Sequence, residues 1–267
     1  AITDAGWAAS LPGNEGIISE IRDRLRNYDD FHLIMGGILY DFPKQNKVHP
    51  RLVGHSEKLN TDYITYNAAL NLSSAPIPAF RTKQHLVPFE ETIPYPNYLS
   101  GIYGYYKTKA NLRFSARPER NMVFETNKIK SGTLICYESA FGHAAASAVK
   151  DGAQILNVIL NEGWYNSPKG SRLFQNFSKM RAIETRRYIA RSSNRGNSGF
   201  VSDKGEVLGL LDEDRPGTLT MQLPLKRGQT FYVRFGNYIG LLAFVFFCCV
   251  AVRYVFQSVG DRLRGAL

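Results

Sequence analysis

Apolar residues at Ile17, Ile18, Ile21 and Leu25 recur three and four positions apart with charges between them, which predicts an amphipathic helix over residues 17–27. The period then shortens. The stretches "FHLIMGGILYDF" (31–42) and "YITYNAALNL" (63–72) predict two neighbouring strands, the second closed by Ser73, Ser74 and Pro76. Between them residues 44–62 are polar, with a basic opening, and predict an exposed loop. From Pro88 to Arg120, Pro88, Pro94, Pro96 and Pro118 fall among many tyrosines, and this composition predicts an irregular but packed excursion of the kind that forms lids.

The second half is more regular. The strands "SGTLICYE", "AQILNVILN" and "YIARSSN" alternate with a helix "AFGHAAASAVKDG" and a helical pattern from Arg172 to Glu184, and a hairpin "GFVSDKGEVLG" follows. Alternation of strand and helix predicts an α/β fold with largely buried sheets. No internal repeat and no low-complexity tract interrupts it.

The last pattern is different in kind. Residues 235–252, "FGNYIGLLAFVFFCCVAV", hold no charge between Arg234 and Arg253. As a helix they span about 27 Å, enough for a bilayer core. Tyr238 and Tyr254 fall at interfacial positions, and Arg253, Arg262 and Arg264 anchor the far end. The predicted organisation is a folded domain over residues 1–228, a transmembrane helix over 235–256 and a short basic tail over 257–267.

Composition sharpens this picture. The chain of 267 residues carries a net charge of +10 with a pI near 9.5, which suits an anionic membrane surface. The basic residues form no stripe on a recognisable DNA or RNA motif, so no nucleic-acid partner is expected. The three cysteines do not all pair, and Cys248 and Cys249 adjoin inside the apolar run, so disulfides are not the stabilising device. No CxxC or HxxxH spacing suggests zinc, and neither a metal nor a cofactor is expected. The chain begins at Ala1 without a visible signal peptide, as if its start were trimmed.

Three segments carry candidate chemistry. In "GTLICYESAFG" (131–141) Cys136 follows an apolar strand and precedes a helix of small residues, a placement that exposes a nucleophile on a tight turn; a nearby helix N-terminus is expected to lower the thiol pKa. Alone, Cys136 reads more as a small buried hydrophobe than as a nucleophile. In "TKQHLVPFEETIP" (82–94) Lys83 precedes an apolar triplet and Glu91 lies eight positions on, a lysine that can hold an oxyanion with a carboxylate to orient it or move protons. Alone, Lys83 reads as a solvated strand end. In the third segment Asn161, Glu162, Gly163 and Trp164 end a strand, and "SSNRGNSGF" follows the long helix.

Together, in this order, these segments resemble the nitrilase or carbon–nitrogen hydrolase superfamily, and within it the apolipoprotein N-acyltransferases of the bacterial inner membrane. The resemblance covers residues 30–256 and rests on "KQHLVPFEE", "ICYES", "NEGWY", "MRAIETRRYIARSSNRGNSGF" and "FYVRFGNYIG". It implies a four-layer α-β-β-α sandwich facing the periplasm and followed by the span. It also implies a Glu-Lys-Cys catalytic set that moves an acyl group from phospholipid, through a cysteine thioester, to the N-terminal amine of a lipoprotein. By position Cys136 is the nucleophile and Lys83 the oxyanion holder, helped by the backbone N–H of Tyr137. Glu91 matches the additional glutamate, and Tyr137, Glu138 and Trp164 fall at substrate-binding positions; Glu90 replaces a small residue.

Two departures stand at the N-terminus. The family's general-base glutamate has no counterpart in "AITDAGWA", where Asp4 takes its place with a shorter reach. Glu15 and Glu20 read as solvated helix carboxylates. The spans that precede the domain in the family do not appear in this sequence, so either a segment before Ala1 is left out, the simpler expectation, or other membrane subunits supply them as partners. The alternative function is a catalytically degenerate, membrane-tethered scaffold of an envelope complex.

Overall fold

A computed structural model describes residues 15–28, 31–41, 54–56, 60–73, 78–92, 95, 98, 123–125, 129–163, 168–211 and 216–264. Asp4 and Trp164 lie outside them, as does most of the tyrosine-rich excursion.

Helix α1 (Glu15–Leu25) precedes β1 (Leu33–Asp41), β2 (Gly54–Ser56), β3 (Thr61–Leu72) and β4 (Ala79–Thr82), which form the first sheet. β1 and β3 pair antiparallel from Leu33↔Leu72 to Asp41↔Ile64, while β2 and β4 pair with successive stretches of β3. The two-residue period sorts β3 by face. Ile64, Tyr66, Ala68 and Leu70 bury one side with Leu39 of β1. Asn67, Ala69 and Asn71 take the other, and Ala69 meets Ile135 and Ile159 of the second sheet. The two sheets therefore stack face to face.

The second sheet comprises β5 (Val123–Glu125), β6 (Lys130–Ile135), β7 (Ile155–Asn161), β8 (Ile189–Asn194), β9 (Ser198–Val201) and β10 (Val207–Leu211), in spatial order β10-β9-β8-β7-β6-β5. β6, β7 and β8 run parallel, joined by α2 (Gly142–Lys150) and α3 (Pro168–Thr185). Ala144, Ala145 and Ala148 line the buried face of α2, and these small side chains let it lie close on Leu134 and Leu156. Helices, second sheet and first sheet thus form successive layers of an α/β sandwich, the class that the alternating pattern predicts.

Three short strands were not predicted: β2 falls inside the expected polar loop, and β4 and β5 span four and three residues, too few to show a period. The expected strand 131–138 stops at Ile135, and Cys136–Ala140 form one 3-10 turn.

After β10 the chain reaches α4 (Phe231–Phe235), bends at Gly236, whose φ of +67° suits a residue without a side chain, and enters α5 (Tyr238–Arg264). Residues 238–258 of α5 are apolar enough to cross a membrane and none of that stretch is buried against the domain. At 1.5 Å per residue they span about 31 Å, the thickness of a hydrocarbon core. The apolar helix begins three residues later than the sequence pattern suggests, because Phe235 closes the preceding helical turn.

Candidate active site

The carboxyl ends of β6, β7 and β8 deliver Cys136, Glu162 and Asn194 to one edge of the second sheet, the place where parallel sheets leave room for ligands. Cys136 has φ +51°, a left-handed conformation that is costly for a side chain with a Cβ. Its neighbours hold it there. The Ser139 hydroxyl donates to the Cys136 carbonyl at 2.7 Å, and the Ile135 N–H donates to Glu138 Oε2 at 2.8 Å. Arg181 of α3 donates from Nη1 to the carbonyls of Ala140 (2.8 Å) and Ser139 (3.2 Å), tying the end of the turn to the helix layer.

The first sheet supplies the cation. Lys83 follows β4 and is 1% exposed. Its Nζ lies 2.7 Å from Glu91 Oε2, because a tight turn through Val87–Thr92 folds Glu91 back onto it. Val87 N–H donates to the same carboxylate oxygen at 2.7 Å, and Asn67 Nδ2 donates to the other at 2.9 Å. The Lys83 N–H donates to the Asn67 carbonyl at 2.7 Å. A buried ammonium is therefore neutralised by a carboxylate that three donors fix in place. Glu90, next in the turn, stays exposed.

Glu138 joins these halves. It is completely buried and accepts both Arg81 guanidinium nitrogens, Nη2 on Oε1 and Nη1 on Oε2, each at 3.0 Å. It also accepts the Gln84 N–H at 2.7 Å, next to Lys83. Arg81 Nη1 donates further to the Thr133 carbonyl on β6. Both oxygens of Glu138, expected at a substrate-binding position, register the lysine segment against the cysteine turn. Tyr137 is half-buried, its ring edge-on to Phe141 at 4.9 Å.

Burial pushes the Cys136 thiol above its ordinary range, while the Lys83 ammonium and a hydrogen bond from the Tyr137 backbone N–H pull it down and Glu91 and Glu162 push it up. The expected depressed thiol is thus overturned, because desolvation outweighs the cation and the peptide dipole. Burial therefore favours the protonated thiol at this position.

Sequence reasoning missed Arg81, Asn67 and the network behind Glu162. Glu162 pairs with Arg191 Nη2 at 2.6 Å, both side chains about 1% exposed, and accepts from Ser193 Oγ at 2.7 Å. Gly196 leaves it space, since a Cβ there would stand 1.8 Å from Glu162 Oε2. Asn67 carried a usable signal, an amide inside an apolar strand on the face shared with Ala69. Glu20, read as a helix carboxylate, makes an exposed pair with Arg24 at 2.7 Å.

Comparison with known proteins places this geometry. Residues 41–232 match the family model for carbon-nitrogen hydrolases. The apolipoprotein N-acyltransferase of Chlorobaculum tepidum is 28% identical over 238 residues, 83% of this chain and 42% of that protein. Apolipoprotein N-acyltransferase 1 of Treponema pallidum is 31% identical over 209 residues, 76% of this chain and 37% of that protein. The chain thus spans about two fifths of the length of these curated relatives. Among solved structures, the amidase of Nesterenkonia sp. AN1 superposes with a TM-score of 0.53 at 15% identity, covering 86% of this chain and 75% of the amidase. A mutant of the same amidase, carrying acrylamide added to its active-site cysteine, superposes with a TM-score of 0.52. These likenesses establish the two-sheet fold.

Proposed function

The chain belongs to the carbon–nitrogen hydrolase family, and from that premise we propose that it is a membrane-anchored acyltransferase acting on phospholipid and lipoprotein, with α5 as its anchor and the domain in the periplasm. The observation that carries the reading is the convergence of Cys136, strained on its turn, with the buried Lys83–Glu91 pair, at the edge of a domain that ends in an exposed apolar helix. The names of its relatives supply the reaction class.

In this mechanism the Cys136 sulfur attacks the ester carbonyl of a phospholipid acyl chain. A C–S bond forms, and Lys83 and the Tyr137 N–H hold the oxyanion that develops on the carbonyl oxygen. The ester C–O bond then breaks, and the lysophospholipid oxygen leaves with the proton taken from the thiol. A lipoprotein α-amine next attacks the thioester; a C–N bond forms, the C–S bond breaks, and the proton shed by the amine returns to sulfur. Glu91 aims Lys83, and Asp4 is assigned as the base that carries the protons.

Incubating the full chain with phosphatidylethanolamine vesicles tests this directly. The expected result is an intact-mass increase of one acyl group on wild type, absent in Cys136→Ala and discharged by a diacylglyceryl-cysteine peptide. A natively folded chain that gains no acyl mass at any pH would leave the scaffold function in its place.

A further inference from the structure

α4 has two unlike sides. Val233 is fully buried in the helix-side core and Tyr232 packs against it, whereas Phe231 and Phe235 are 58% and 62% exposed. The two exposed rings lie 4.4 Å apart, and Phe231 meets Tyr238, the first residue of α5, edge-on at 4.6 Å. Residues 231, 235 and 238 form a continuous aromatic ledge where the apolar helix leaves the domain.

The cover for this ledge is identified by its continuation. Ile239, Leu241, Leu242 and Phe244–Phe247 are all exposed at consecutive positions, hence on every side of α5. A single partner surface covers one side of a helix; a bilayer covers them all, and the stretch is apolar over the length of a hydrocarbon core. Phenylalanine and tyrosine rings beside a span belong at the boundary between headgroups and hydrocarbon, and exposed Arg234 and Arg227 beside them favour an acidic surface.

The ledge is also fastened to the nucleophile. The Thr230 hydroxyl, which caps α4 by accepting the Val233 N–H at 3.1 Å, donates to the Glu184 carbonyl at 2.5 Å. Glu184 accepts Arg181 at 2.8 Å, and Arg181 holds the Ser139 and Ala140 carbonyls of the cysteine turn. α2, which follows that turn, abuts α4 so closely that a Cβ on Gly142 would stand 2.2 Å from Tyr232 Oη.

We propose that Phe231, Phe235 and Tyr238 form a seat in the interfacial layer of an acidic phospholipid bilayer, which holds the Cys136 turn at a fixed attitude to the lipid surface. The seat rests on the membrane-anchored reading above and adds a surface to it. The test uses the full chain in vesicles of phosphatidylcholine and phosphatidylglycerol. With Phe235→Trp, and the wild-type signal subtracted, fluorescence should be quenched more by acyl chains brominated near the carbonyl than by chains brominated near the methyl end. Equal or no quenching, or stronger quenching from the methyl end, would overturn it.

A second measurement separates the seat from the chemistry. In Phe231→Ser/Phe235→Ser, acyl transfer from vesicle phospholipid should fall about tenfold, as lost interfacial area weakens lipid engagement. Acylation of Cys136 by a soluble short-chain thioester should not change. Equal losses with both donors, or none with either, would refute the seat. If the wild type accepts no acyl group at all, the enzymatic reading fails while the quenching still decides the seat.

Discussion

The turn carrying Cys136 and the segment carrying Lys83 are both buried at one site, yet different forces hold them. The cysteine turn continues β6, and residues within three positions bend it: Ser139 onto the Cys136 carbonyl, Ile135 onto Glu138. The lysine segment leaves a short strand of the other sheet, and its register comes from contacts 54 and 57 positions away, Gln84 to Glu138 and Arg81 to Glu138. The cysteine turn is thus shaped largely from within, while the lysine is brought to it by the tertiary fold. Glu138 belongs to both systems, bending its own turn with one oxygen and clasping the distant segment with both.

The largest effects should come from that shared residue. Glu138→Gln leaves the Arg81 guanidinium buried against a neutral amide, and removing one partner of a buried pair costs about 3–5 kcal/mol. Equilibrium denaturation should show the loss. In Arg81→Met/Glu138→Met no buried charge is stranded, so most of that stability should return. Cys136 acylation should stay low in the same protein, because nothing then registers Lys83. Full activity in the stable double variant would show that the sandwich alone aligns the two segments.

Next come substitutions within the lysine segment. Lys83→Met should lower acyl transfer by about 10²–10³-fold, the cost of removing one oxyanion donor. Glu91→Gln keeps the lysine side chain and should lose less. Iodoacetamide labelling of Cys136 across pH gives a sharper distinction. Wild type should label with a midpoint above that of an ordinary thiol, since burial favours the protonated form. Lys83→Met should move the midpoint up and Glu91→Gln should move it down, as the one charge stabilises the thiolate and the other opposes it. Shifts of the same sign would mean that both variants act by disturbing the fold.

The same division explains what was legible beforehand. The elements around Cys136 could be read because β6, α2, β7 and α3 each carry a long period, and the strand-to-helix transition marks the turn. The first sheet was half legible: β1 and β3 show apolar runs, but β4 spans four residues and carries Arg81, which in sequence looks like any solvated arginine. A buried charge differs from an exposed one only by its partner, and Glu138 stands 57 residues away, as Arg191 stands 29 from Glu162. For Lys83 and Glu91 the family resemblance supplied the pairing that spacing alone left open. Nothing local announced that the thiol would be raised, because burial comes from both sheets at once.

A smaller contact between the regions should respond to pH. His85, two residues after Lys83, places Nε2 2.8 Å from Nε2 of His143 on α2 and stacks on Phe141 with ring centroids 4.5 Å apart. Such a contact needs a lone pair on one imidazole, so protonating both rings breaks it. Burial lowers the His85 pKa below its ordinary 6.5; Glu138 opposes this, while His143, Arg81 and Lys83 add to it. The folded chain then binds fewer protons at this ring than the unfolded chain. Its contribution to stability is present above 6.5 and is lost as pH falls through the lower, folded value. The thermal midpoint should therefore decline on acidification below 6.5, and His85→Phe, which keeps a ring against Phe141, should flatten that decline. An unchanged decline in the variant would show that this imidazole contact does not help to hold the lysine segment against the cysteine side.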